Sequence, residues 1–232
     1  MEISNNFIHK VGAEVLSVRI FGNTQNKPGF VFLHGAGESD GDRIKSISDH
    51  LTSKISILTF DFSGHGKSSG KIENSSLQKR VNEASSVIKK YADLKNLTLC
   101  GSSMGGYIAI KLIESLPVKN LILFCPAVYD KNVFSTEFNH NFSSAIRALN
   151  SWYNSDAFDI LKQYNDKLLI FVGEKDEVIP AELIKRLNDA AQKTSKREII
   201  VLPNCDHAIH KYIFEHRDTG EAIANKIINY TQ

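Results

Sequence analysis

Residues 97–116 read LTLCGSSMGGYIAIKLIESL. The stretch opens with a short apolar run, 97–100, of the kind that forms a buried strand. It then turns through Gly101-Ser102-Ser103-Met104-Gly105-Gly106 and continues into a helix-like segment, 107–116. Gly101 to Gly105 fits G-x-S-x-G with Ser103 at its centre, a pattern that average glycine and serine usage produces by chance at about one position in 3000. The strand-turn-helix setting adds weight, because it is the context in which such a serine is held on a sharp, strained turn. Side chains beside that turn would clash, and glycines at 101, 105 and 106 remove them.

Working outward, similar apolar runs recur at 30–33, 55–60, 121–124, 168–172 and 199–202. Short runs rich in Ile, Leu, Val and Phe are how strands buried on both faces of a parallel sheet read. Helical spacing lies between them: Ile44, Ile47 and Leu51; Leu77, Val81, Ala84, Ile88 and Tyr91; Leu183, Leu187 and Ala190. A last helix is expected within 209–230, with Gly220 as a candidate interruption. This alternation predicts an α/β fold with a mostly parallel central sheet and helices on both faces. Ahead of it, 6–10 and 13–21 read as extended, the second as a half-exposed antiparallel strand because Val15, Ser17 and Arg19 alternate with apolar neighbours. The rhythm breaks only at 126–166, which holds Trp152 and several phenylalanines and tyrosines. A structureless loop of that length is unusual, so short helices are expected there.

The chain has 232 residues, 42% hydrophobic and 23% charged. At about 150 residues per domain this suits one large domain, 1–232, with 126–166 inserted in it. The net charge of +2 and the lack of a basic stripe argue against nucleic-acid binding. No apolar run approaches the roughly 18 residues of a membrane span. The start, MEISNNFIHK, lacks the charged and apolar regions of a secretory signal. Three widely spaced cysteines, Cys100, Cys125 and Cys205, read as reduced thiols of a cytoplasmic protein.

A serine needs a base to become a nucleophile, and the base needs an orienting carboxylate. In a strand-turn-helix serine protein the order along the chain is serine, acid, histidine, each after a strand. After 168–172 comes Gly173-Glu174-Lys175-Asp176-Glu177-Val178-Ile179-Pro180, and after 199–202 comes Pro203-Asn204-Cys205-Asp206-His207. His207 is the base candidate. Asp176 is the favoured acid and Glu174 the second; Asp206, adjacent to His207, reads as a loop or helix-capping carboxylate. Two backbone N–H groups should receive the developing oxyanion. Met104, just after the serine, and Ala36, in the glycine-rich segment Leu33-His34-Gly35-Ala36-Gly37-Glu38-Ser39, are the candidates. His34 reads as a structural residue beneath that segment.

Two other patterns are weaker. Gly66-Lys67-Ser68 resembles the end of a phosphate-binding loop, but the glycine that motif needs five residues before Gly66 is Asp61. Cys205, His207 and His210 form C-x-H-x-x-H without a fourth metal ligand.

Taken in order, HGAGES at 34–39, DFSGHGKSSG at 61–70, GSSMGG at 101–106, GEKDEVIP at 173–180 and CDH at 205–207 resemble the α/β-hydrolase superfamily of serine hydrolases. The second segment is similar to that of small cinnamoyl-type esterases, monoacylglycerol lipases and serine aminopeptidase-type hydrolases. The resemblance implies Ser103 as nucleophile, Asp176 as acid, His207 as base, and Ala36 and Met104 as oxyanion donors. It implies no metal and no cofactor, and a small-molecule acyl ester or thioester as substrate. It also places a short cap at 126–166. Many relatives carry His before the nucleophile; Ser102 in that place leans slightly towards ester or thioester cleavage. The same three residues also serve amide cleavage in aminopeptidase-type relatives, and the motifs do not separate the two. A non-catalytic binding protein of the same fold is the further alternative.

Overall fold

The computed structural model describes residues 5–231. Eight strands form one sheet: β1 Asn5–Val11, β2 Glu14–Phe21, β3 Phe30–Leu33, β4 Ile57–Phe60, β5 Leu97–Ser102, β6 Val118–Phe124, β7 Lys167–Gly173 and β8 Lys196–Leu202. Their spatial order is β1-β2-β4-β3-β5-β6-β7-β8. β2 runs antiparallel to both β1 and β4, and every pair from β4 to β8 is parallel. The strand order steps back at β3, then runs outward to β8.

Among the described residues the eight α-helices are α1 Lys45–Leu51, α2 Leu77–Tyr91, α3 Met104–Leu112, α4 His140–Arg147, α5 Ala157–Gln163, α6 Ala181–Ala190, α7 Ile209–Glu215 and α8 Arg217–Thr231. α1, α7 and α8 pack together over one face of the sheet; α2, α3, α5 and α6 pack in series over the other. The core lies between these layers, with β3, β4 and all but one residue of β6 buried.

Three expectations change. β2 is antiparallel as expected but almost wholly buried instead of half-exposed, since it lies inside the sheet between β1 and β4. Its Arg19 is 3% exposed and is paired with Asp61. β8 was expected to be buried on both faces, yet as the sheet's last strand it is half-exposed, with Val201 55% exposed. The C-terminal helical region breaks at His216, not at Gly220. Gly220 lies inside α8, where a Cβ would stand 3.2 Å from Ile213 Cγ2, so glycine lets α8 close onto α7.

Segment 126–166 holds a short turn of helix at Lys131–Val133 followed by α4 and α5, with no strand among the described residues. It is tied down on both sides. Tyr107 Oη donates to Asp156 Oδ1 (2.8 Å) and Lys111 Nζ to Asp156 Oδ2 (2.8 Å). The Gln78 N–H donates to Phe134 O, and the Phe138 N–H to Ser75 O, both at 2.9 Å. Most of the phenylalanines anchor the segment: Phe138 covers the Arg80 guanidinium and packs on Phe142, and Phe158 packs edge-on against Trp152 with the Arg186 guanidinium over both rings.

Candidate active site

The carboxyl ends of β5, β7 and β8 bring Ser103, Asp176 and His207 together. Ser103 is the residue between β5 and α3 and sits at φ 51°, ψ −118°, a conformation that L residues rarely adopt. The turn is imposed by close backbone contact. A Cβ on Gly101 would run into the Gly105 carbonyl, and one on Gly105 into the Leu33 carbonyl. The result is a serine that projects from the sheet while its neighbours Ser102 and Met104 are buried.

His207 Nε2 lies 3.1 Å from Ser103 Oγ, and its Nδ1 lies 2.9 Å from Asp176 Oδ2. Since the carboxylate only accepts, Nδ1 carries the proton and Nε2 is free to accept from the serine hydroxyl. The other oxygen, Asp176 Oδ1, accepts the N–H groups of Val178 (2.9 Å) and Ile179 (3.0 Å). Burial works to raise the Asp176 carboxyl, but the hydrogen bonds from His207, Ile179 and Val178 outweigh it and hold it below its usual range.

The competing carboxylates face elsewhere. Glu174 is exposed and accepts the Asn204 N–H at 2.8 Å. Asp206 accepts the Ala208 N–H at 2.8 Å and shapes the turn into α7. His210 is buried against Phe32 and Phe124 and shares a hydrogen bond with Ser46 Oγ (3.0 Å), while the Cys205 thiol donates to the Asp206 carbonyl (3.3 Å). That C-x-H-x-x-H spacing therefore does not converge.

Met104 opens α3, so its N–H has no acceptor within the helix. Ala36 follows Gly35, whose Cα lies so close to the serine that a Cβ there would stand 3.3 Å from Ser103 Cβ. His34 is fully buried. Its Nδ1 donates to Gly35 O (2.8 Å) and its Nε2 accepts the Phe62 N–H (3.0 Å), so it braces the loop. Asp61 likewise has a structural task. Its carboxylate accepts from Arg19 and from the N–H groups of Gly41 and Lys67, both at 2.9 Å. The GHGKSS segment thus wraps its own buried carboxylate where a phosphate-binding loop would wrap a phosphate.

Arg80 did not stand out in the sequence, although it falls on the Leu77–Ala84 stripe of α2 that faces inward. It is 1% exposed, reaches Gly35 O (3.4 Å) and Met104 Sδ (3.3 Å), and donates to His65 Nε2. Burial lowers its guanidinium to about 10, and burial together with Arg80 lowers His65 to about 4. One buried cation thus touches both segments that carry the candidate oxyanion donors.

A cavity of about 490 Å³ opens beside Ser103, lined by Ala127, Tyr129, Ile146, Trp152, Ile179 and Leu183 among others. Arg147 is the one charged side chain among its described lining residues. Glu137, Asp156 and Asp159, three acidic residues of the 126–166 segment, do not line it. A cleft of about 580 Å³ at the opposite end of the sheet is lined by Phe30, Thr98, Asn120 and Lys167 and lies away from Ser103. Open α/β sheets bind ligands at the carboxyl ends of their strands, which is the Ser103 side.

Residues 24–155 match the family described as serine aminopeptidase, S33. The chain belongs to this hydrolase family. A Mycoplasma genitalium protein named as an esterase/lipase is 29% identical over 139 residues, covering 55% of this chain and 51% of that protein. The match thus spans about half the length of that curated relative. Among solved structures, the thioesterase domain of the curacin biosynthetic pathway is 16% identical, covers 97% of this chain and 99% of its own, and superposes with a TM-score of 0.72. An alpha-beta serine hydrolase homologue from Coxiella burnetii is 21% identical, with 96% and 98% covered and a TM-score of 0.64. These likenesses establish the α/β-hydrolase fold. No helix among the described residues of this family member is long and apolar enough to cross a membrane.

Proposed function

We propose that this S33-family protein is a serine hydrolase that cleaves carboxylic ester or thioester bonds of small or medium acyl substrates through an acyl-enzyme. The observation that carries the reading is the continuous hydrogen-bonded line from Ser103 Oγ through His207 to Asp176, at 3.1 and 2.9 Å. Ser103 attacks the acyl carbon as His207 Nε2 takes its proton. Asp176 holds the imidazole in the correct tautomer and offsets the charge it gains. The oxyanion is received by the N–H groups of Ala36 and Met104. His207 then protonates the departing alcohol or thiol. Water enters, gives its proton to His207 and attacks the acyl carbon; the acid leaves as Ser103 regains its proton. Every step uses groups of this chain, with no metal or cofactor.

Segment 126–166 serves in this reading as a short cap within a single domain, 1–232. The cavity of about 490 Å³ that it lines suits a small ligand. Its mostly apolar wall suits an acyl chain.

The family description also raises cleavage of aminoacyl amides, which the same three residues can perform. The lining argues for esters, because a protonated amino group would meet Arg147 there and no carboxylate. The test is a fluorophosphonate probe together with a panel of acyl esters of increasing length, one thioester and one aminoacyl amide. Labelling that disappears in Ser103→Ala and turnover of the esters or thioester support the proposal. Labelling that persists in Ser103→Ala overturns it, and preference for the amide moves the activity to the peptidase class.

A further inference from the structure

Cys125 has no part in that chemistry, yet it stands beside it. It is the residue after β6, 1% exposed, with its N–H donated to Phe171 O at 2.8 Å on the neighbouring strand. Its φ of 43° is unusual for a residue other than glycine and sets the direction of its side chain. A Cys125 sulfur, an Asp176 oxygen and a His207 ring nitrogen all lie within 4.8 Å of one another. Three separate strand ends, those of β6, β7 and β8, therefore deliver one thiol, one carboxylate and one imidazole to a single point. We propose that Cys125, Asp176 and His207 form a binding site for a thiophilic divalent cation, zinc, and that its occupancy switches the hydrolase off.

The donor set is one that zinc favours: sulfur, nitrogen and oxygen, with an open fourth position for water. Tetrahedral zinc bonds place neighbouring donors about 3.4–3.6 Å apart. His207 Nδ1 and Asp176 Oδ2 stand at 2.9 Å and need to open by about half an ångström. The sulfur needs to close in by little more than about 1 Å. A carboxylate and a thiolate together neutralise a dication, which offsets the cost of deprotonating a thiol that burial and the neighbouring Asp176 carboxylate push up.

The proton balance explains the switch. Zinc takes the place of the proton on Cys125, which leaves to solvent. It also takes His207 Nδ1, whose proton appears on Nε2 as the imidazole changes tautomer. The imidazole stays neutral, but Nε2 now carries N–H towards Ser103 Oγ and has no lone pair to accept the serine proton. The binding event stands by itself; only its effect on turnover rests on the proposed function.

The test uses the full chain, stripped with EDTA and freed of chelator, then titrated with Zn²⁺ or Co²⁺. We expect one zinc per chain by equilibrium dialysis, with loss of ester turnover that tracks occupancy and returns on adding EDTA. Co²⁺ should give a thiolate-to-cobalt charge-transfer band in the near ultraviolet. Cys125→Ala and Cys125→Ser should lose the band and bind zinc at least about tenfold more weakly, because each removes one of the three ligands. Cys205→Ala should behave as the parent protein. Absence of the band in the parent protein, or equal zinc affinity in the Cys125 variants, overturns the proposal. A cobalt band in a protein that turns over no ester supports the metal site and overturns the ester-hydrolase reading.

Discussion

His207 Nδ1 sits 2.9 Å from Asp176 Oδ2, while the other oxygen of the same carboxylate accepts two backbone N–H groups, those of Val178 and Ile179. The carboxylate is thus held on both sides, and its orientation leaves one oxygen for the imidazole.

Asp176→Asn should damage activity far more than its size suggests. The oxygen of the new amide must stay with Val178 and Ile179, so its NH2 turns to His207. Nδ1 then has to accept, Nε2 carries the proton, and the base faces Ser103 in the wrong tautomer. A loss of about 10⁴ in kcat is expected. Glu174→Gln, whose carboxylate serves the Asn204 N–H, should stay within about threefold. Steady-state kinetics on a p-nitrophenyl ester measures both, and the reverse order would transfer the acid role to Glu174.

Ser103→Gly should separate stability from activity. The φ of 51° costs a serine energy that glycine does not have to meet. Unfolding free energy in urea should rise by about 1 kcal/mol, within the range of such backbone strain. Ester turnover should fall to background. A variant that is less stable than the parent would show that the turn is not strained.

The Arg19–Asp61 pair should make stability pH-dependent. Burial acts to raise the Asp61 carboxyl, but Arg19 and the N–H groups of Lys67 and Gly41 hold it below its value of 3.8. A lowered folded value means that the unfolded chain binds protons first as pH falls. The pair's contribution is therefore complete above about pH 4 and is lost as pH drops through the folded value. At pH 7, Asp61→Asn should cost about 3 kcal/mol, because Arg19 is left buried without this partner. Urea unfolding at stepped pH should show the gap between parent and variant narrowing below pH 4. A gap that stays constant down to pH 2.5 would contradict the linkage.

The cavity predicts acyl selectivity. Ile146 is half-buried on its wall in α4. Ile146→Trp should shorten the space beyond the scissile bond and lower the hexanoate-to-acetate ratio of kcat/KM by about tenfold, the usual worth of a pocket contact. An unchanged ratio would place the acyl chain elsewhere.

Much of this was legible before folding because the signals are local. Apolar runs and helical spacing mark strands and helices over a few residues, and the glycines around Ser103 answer contacts within one turn. The loops after β7 and β8 declared themselves by following strands. What failed to show was position within the sheet. β2 and β8 have ordinary strand sequences, and only the strand order makes one interior and the other an edge. Arg80 was on an inward-facing stripe, but a charged residue there looks like an exception until its partners Gly35, Met104 and His65 come from other segments.

The chain order of Ser103, Asp176 and His207, and the strand-turn-helix form of the first, follow from residue types and their immediate neighbours. Which of Glu174, Asp176 and Asp206 stands next to the histidine depends on how β7 and β8 lie side by side, a contact between residues 31 positions apart. The same is true of Cys125. Nothing in its neighbourhood along the chain marks it, and the local pattern points instead to Cys205, two residues before His207. It comes within 4.8 Å of Asp176 and His207 because β6 is paired with β7, and β7 with β8, in one parallel register.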